Sequence, residues 1–225
     1  MTVISIGGPM LISNKRLIRK HSLYGNYLDM MALQRDLKSQ MQQEIIDGDI
    51  VITLSRDQLR FIGDVASKRV AENATSSYQG CHGSVEPERY QHHMLGCLGE
   101  YAVAVNQSLV WDGSRGQDAG PFEVRTTQMQ SGYIPKLRIH PKDPDNKVFI
   151  LVSVISHTKL RLCGWLMGIE GKRRDRWGSP KILNGVDPEP NWFRPAYWTP
   201  ATALNPMSTL PSPYDLTSPP MKLAA

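Results

Sequence analysis

Apolar residues in the first half of the chain recur at helical spacing. Leu33, Leu37, Met41 and Ile45 fall at steps of four, and Gly48 follows as a C-cap, which predicts a helix over 29–47. Leu59, Ile62, Ala66 and Val70 predict a second helix over 56–74, opened by a capping box of Ser55 and Gln58. A loop over 76–85 holds Gly80 and Gly83. Pro87 then stands where a first helical turn favours it. The stripe Gln91, Met94, Leu95, Leu98, Ala102 and Val105 predicts a third helix running to Gln107.

Beyond Leu109 the period changes to two. Phe122, Val124 and Thr126 alternate with Glu123, Arg125 and Thr127, which predicts a strand with one apolar and one polar face. Ser131-Gly132 marks a turn into a second strand, Lys136–His140, and 141–146 reads as a loop. Val148–Ile155 is a nearly continuous apolar run, the pattern of a central strand covered on both faces. Leu160–Gly168 reads as another strand and Tyr197-Trp198 as a last strand or cap. From Asn205 onward, Pro206, Pro211, Pro213, Pro219 and Pro220 predict an extended tail. Helices followed by strands predict an α+β fold, or a mixed sheet with flanking helices.

Composition narrows the class. A chain of 225 residues suits one domain with appendages. We divide it into an N-terminal arm and helix (1–50), a main domain (51–204) and a Pro-rich tail (205–225). Hydrophobic residues at 40% against 21% charged exclude wholesale disorder. The longest apolar runs, Tyr101–Val105 and Val148–Val152, fall far short of the ~20 residues of a membrane span, so no membrane partner is expected. The opening MTVISIGGPMLISNKR lacks the order of a secretory signal. Cys81, Cys97 and Cys163 are too few and too odd for a disulfide framework. A reducing, cytoplasmic setting follows as the expectation.

The net charge is +5, but it is not spread evenly. Between Lys136 and Arg176 there are ten Lys/Arg against four Asp/Glu, a net +6, so everything else sums to −1. A local basic surface suits a polyanion, because phosphate contacts supply most non-specific nucleic-acid affinity. Lys136, Arg138, Lys142, Lys172, Arg173, Arg174 and Arg176 are the candidate phosphate contacts. Trp177, beside Arg174 and Arg176, is the aromatic best placed to stack on a base.

Glu100 lies mid-helix, with Gly96, Cys97, Val103 and Ala104 three and four residues away and no cation of its own helix in reach. Such a carboxylate is costly unless something positive meets it. Gly96 and Gly99 point to a close approach by another backbone or a ligand. Further on, Asp118 enters a strand that carries Glu123 and Arg125 on one face. Three carboxylates converging with a cation are hard oxygen ligands of the kind that hold Mg²⁺. Cys81, His82, His92, His93 and Cys97 cluster in sequence but lack zinc-site spacing. Asp143 and Asp145, among Pro and Asn, read as turn formers. No Walker loop, GxGxxG, GxSxG or HExxH is present, which removes support for the classes those motifs mark.

The helix Leu95-Gly96-Cys97-Leu98-Gly99-Glu100-Tyr101-Ala102, then Asp118, then Glu123-Val124-Arg125-Thr126, resembles the PD-(D/E)XK nuclease superfamily, in particular its small phage-borne members. The later Leu137–Asp143 run and the Gly164-Trp165 strand are also similar, so the resemblance spans residues 88–170. It implies a restriction-endonuclease-like core: a central mixed four-stranded sheet with helices on both sides, here with an N-terminal helical extension. It implies Mg²⁺- or Mn²⁺-dependent cleavage of nucleic-acid phosphodiesters, DNA first, in a host cytoplasm. Glu100, Asp118 and Glu123 would hold the metal, and Arg125 would stand in for the family lysine. Gln117 replaces the motif proline. Arg cannot shed its proton, so Arg125 cannot serve as a general base, but it can orient water or neutralise charge. The alternative is the same fold without turnover, a nucleic-acid-binding or phage accessory protein.

Overall fold

In the computed structural model, the described residues are 41–46, 48–75, 86–114, 118–178 and 195–217, with single positions between 32 and 39. The basic patch near 15–21, the 76–85 loop with Cys81 and His82, and the end of the Pro-rich tail lie outside them.

The first predicted helix stops short. Helical positions occur between 32 and 39, but β1 (Gln42–Ile46) is a strand pairing antiparallel with β2 (Asp49–Thr53). Ile46 sits opposite Asp49, the register of a tight hairpin, and Gly48 has φ +84°. Asp-Gly is a strong hairpin signal, and it overrides the step-of-four pattern that carried the helix through Ile45. Gly48 is therefore a hairpin residue, not a C-cap.

The other two helices form where their signals lie. Ser55 and Gln58 bond reciprocally, Ser55 N–H to Gln58 Oε1 at 2.7 Å and Gln58 N–H to Ser55 Oγ at 3.3 Å. Helix α1 (Arg56–Thr75) begins at that box. It packs on α2 (Glu86–Asn106), which lies over the sheet. Leu98, Ala102 and Val105 are buried as expected, but Gln91 is exposed, as are its neighbours Tyr90 and His92. The N-terminal turns of α2 thus carry less of the core than the stripe predicted.

The strands that follow are β3 (Phe122–Gln128), β4 (Lys136–Ile139), β5 (Val148–Val154), β6 (Lys159–Met167), β7 (Trp177–Gly178) and β8 (Ala196–Pro200). The main sheet has five strands in the order β1-β2-β6-β5-β3. It is mixed: β3 runs parallel to β5, and the other pairs are antiparallel. β4 belongs to a second, three-stranded sheet of order β4-β8-β7. The architecture is α+β, but it differs from the expected four strands between two helical layers. Among the described residues, α2 covers one face, with α1 packed against it, and the small sheet covers the other.

That sandwiching explains β5. Val148, Ile150, Val152 and Val154 point to the helix side, while Phe149 and Leu151 point to the small sheet, where they meet Leu137, Ile139, Cys163 and Leu166. Both faces are dry, so every position is apolar or small. A bulge in β6 opposite Leu151/Val152 leaves Gly164 at φ +136°. A Cβ there would lie 2.6 Å from Asn205 O, and Trp165 and Asn205 exchange two backbone bonds of 3.0 Å beside it. Residues after Asn205 are accordingly anchored rather than extended, as far as they are described. Met207 enters the main core, and a short helix closes Pro213–Thr217. Among the described residues, no helix is long and apolar enough to cross a membrane.

Candidate functional site

Glu100 has the cation its burial demands, and it comes from the neighbouring helix. Arg69 of α1 donates to Glu100 Oε1 at 2.8 Å and to Oε2 at 2.6 Å. Trp111 Nε1 donates to Oε2 at 3.0 Å. Arg69 also donates to Gly113 O at 3.0 Å and to Ser114 O at 3.2 Å. Both side chains are about nine-tenths covered, at 10% and 8% exposure. Burial alone would lower the Arg69 pKa, but the Glu100 carboxylate outweighs it and the net shift is upward. The pair therefore joins α1, α2 and the 111–114 segment, with both Glu100 oxygens engaged. Gly99 has a packing explanation too: a Cβ there would collide with the Thr126 side chain of β3. Gly96 meets no such neighbour.

Asp118 and Glu123 are set differently. Asp118 precedes a tight Ala119–Phe122 turn in which Gly120 has φ +62°. Its Oδ2 accepts the Val124 N–H at 2.9 Å, which fixes the carboxylate beside the start of β3. Glu123 is in register with Phe149 and Arg125 with Leu151, so both face the small-sheet side of an edge strand. The Glu123 carboxyl pKa is raised, first by burial and then by the Asp118 charge, against the opposing pull of Arg125 and Lys147.

Arg125 is held firmly. It donates to Asp143 Oδ2 at 3.0 Å, reaches Glu123 Oε2 at 3.5 Å, and lies over the Phe149 ring at 5.3 Å. Asp143 Oδ2 also accepts the His140 N–H at 2.8 Å. Asp143 is thus a member of the site as well as a loop residue. Sequence spacing could not show this, because the contact crosses from the β4–β5 loop to β3. Lys147, half-buried just before β5, is the other cation acting on Glu123, and it forms no ion pair among the described residues.

The candidate phosphate contacts divide into two groups. Arg138 sits over the Trp198 ring at 5.4 Å, and its pKa is lowered by burial and by Arg125. Lys136, Arg138, Lys142 and Arg174 make no ion pair among the described residues. Arg173 pairs with Asp175 at 3.1 Å, and Arg176 donates to Glu170 O at 2.9 Å. Lys172 is turned inward onto the 141–146 loop, with its side chain 15% exposed. Trp177 is half exposed and stands edge-on to Tyr197, 4.9 Å between centroids.

Of the three acids implied for a metal, Asp118 and Glu123 adjoin, while Glu100 is committed to Arg69 and Trp111. Among the described residues no group of three or more His, Cys, Asp or Glu is arranged to hold a metal ion. Two carboxylates still fit Mg²⁺, which commonly takes one or two from protein and completes its shell with water and substrate phosphate. Of the Cys/His cluster, Cys81 and His82 lie outside the described residues; His92 is exposed, and Cys97 is buried with its thiol pushed up to about 12 by burial. No protein-family model, curated protein or solved structure matches this chain.

Proposed function

We propose that the protein is a metal-dependent nuclease acting on nucleic-acid phosphodiesters, with DNA as the first candidate. The observation that carries this reading is the Asp118–Glu123 pair. These are two neighbouring carboxylates at the start of edge strand β3, that of Glu123 with its pKa raised by burial and like charge, with Arg125 and Lys147 close by. A divalent cation would relieve that repulsion, and when bound it polarises a phosphoryl oxygen and acidifies a water. Asp118 is oriented by the N–H of Val124, the residue that follows Glu123 on β3. Arg125 stays protonated and supplies positive charge at the reacting phosphate, while Asp143 and the Phe149 ring fix its guanidinium in place. Lys136, Arg138, Lys142 and Arg174 are the cations left to bind flanking phosphates.

A second reading rests on Arg125. With two acids in reach, its charge is largely answered within the protein, which favours nucleic-acid binding without turnover. One experiment separates the two: degradation of linear, circular and single-stranded DNA with Mg²⁺ or Mn²⁺, against an Asp118→Ala/Glu123→Ala double variant. Cleavage by the parent alone supports the nuclease. Equal cleavage by the variant would sink it, and salt-sensitive binding without cleavage selects the second reading.

A further inference from the structure

Lys172 belongs to the basic run that suggests a nucleic-acid surface, yet its ammonium points into the protein. Its Nζ donates to Asp145 Oδ1 at 2.6 Å, to Pro141 O at 3.1 Å and to Asp143 O. Three acceptors satisfy all three of its protons. They come from one short stretch, the 141–146 loop, while Lys172 itself follows α3 (Gly168–Gly171). The same seam is closed twice more: Gly168 N–H donates to Lys147 O at 2.8 Å and Ile169 N–H to Asp145 O at 2.9 Å. Gly168 permits this approach, since a Cβ there would collide with Pro144 O.

The clamped loop has one side chain in the candidate site, Asp143. Its Oδ2 is shared between the His140 N–H and Arg125. Lys172 grips the backbone carbonyl of that same residue. A chain of direct contacts therefore runs from Lys172 through Asp143 to the guanidinium on β3.

From this chain we infer that Lys172 is a positioning residue, which sets Arg125 through the Asp143 loop and does not touch nucleic acid. The inference rests on the nuclease reading for its consequence in turnover, but the mechanical link stands apart from it. A small displacement of a charge meant for a reacting phosphate lowers the rate without weakening ground-state binding.

The test uses the full chain with Lys172→Met, Arg125→Met and the double variant. Lys172→Met should lower kcat roughly ten- to hundred-fold. KM and the salt dependence of DNA binding should not change. In the Arg125→Met background Lys172→Met should bring no further loss, because the residue it positions is gone. Asp145→Asn keeps the two carbonyl acceptors and should fall between parent and Lys172→Met. A salt slope smaller by about one with kcat intact would make Lys172 a phosphate contact and overturn the inference. Equal kcat losses in both backgrounds would overturn it as well. If the parent cleaves nothing, the nuclease reading has failed, and thermal unfolding of the same four proteins decides the link. Tm shifts that fall short of additive support it, and strictly additive shifts reject it.

Discussion

Arg69→Met tests the assignment of Glu100 most directly. The substitution keeps much of the side chain's length but removes every donor. Glu100 keeps the Trp111 N–H and loses the two Arg69 bonds of 2.8 and 2.6 Å. The carbonyls of Gly113 and Ser114 lose their donor as well. Breaking a buried pair from one side typically costs about 3–5 kcal/mol, because the remaining charge stays uncompensated. For a chain of this size that corresponds to a Tm lower by roughly 6–20 °C. Glu100→Gln should destabilise in the same direction, since it removes the carboxylate paired with the buried Arg69 guanidinium. The Arg69→Met/Glu100→Gln double variant should lose less than the two single costs combined, by on the order of 1–3 kcal/mol of coupling. Thermal and urea unfolding measure all four corners of this cycle. Mn²⁺ titration of the folded Glu100→Gln protein should give the parent's affinity. Single variants within about 0.5 kcal/mol of the parent would refute the structural role. So would a Glu100→Gln protein that keeps its Tm but no longer binds metal.

Asp118→Asn or Glu123→Gln should weaken Mn²⁺ binding and abolish cleavage while leaving the fold intact, as read by titration, gel assay and circular dichroism. Glu123→Gln should also stabilise the protein at neutral pH. A carboxyl whose pKa is raised on folding binds its proton more tightly in the native state. Its ionisation therefore costs stability as pH rises from the ordinary value of 4.5 through the raised one, and costs nothing well below 4.5. Stability curves of parent and variant should accordingly diverge above that window and converge below it. Cys163 and Cys97, with thiols near 12, should resist a thiol reagent at pH 8 until the protein is unfolded; rapid native labelling would contradict their burial. Gly164→Ala should lower Tm by an amount equivalent to about 1–3 kcal/mol, because the added methyl meets Asn205 O at a φ that only glycine tolerates well.

What the sequence reveals depends on how local each signal is. The start of α1 is legible because Ser55 and Gln58 satisfy each other three residues apart. β3 and β5 are legible because alternation, and its loss, report which faces are dry. The stretch through Ile45 is misread because the even apolar spacing runs on into a hairpin, where Ile45 belongs to β1. β4 is recognisable as a strand, but its partner β8 lies far along the chain, and nothing nearby encodes that pairing. The site follows the same rule. Glu100 announces its need for a cation, but Arg69 is 31 residues distant on another helix. Asp143 fits its turn so well that its second role at Arg125 is hidden. Lys172 reads as surface charge because composition cannot tell a solvated ammonium from one that three loop acceptors have turned inward.

The Asn205–Trp165 bridge also bears on the order of events during synthesis. β6 is paired on both sides within the main sheet, yet its bulge is sealed only by residues about forty positions later, and Met207 fills part of the main core from beyond that seal. On a translating ribosome the helix pair and the β5–β6 hairpin can collapse early, because their contacts are close in sequence. The face over Gly164 stays open until Asn205 and Met207 have cleared the exit tunnel. Release of the segment that follows β8 is therefore a late step in completing the hydrophobic interior, and a chain arrested at Pro200 would present an unfinished surface to chaperones and proteases.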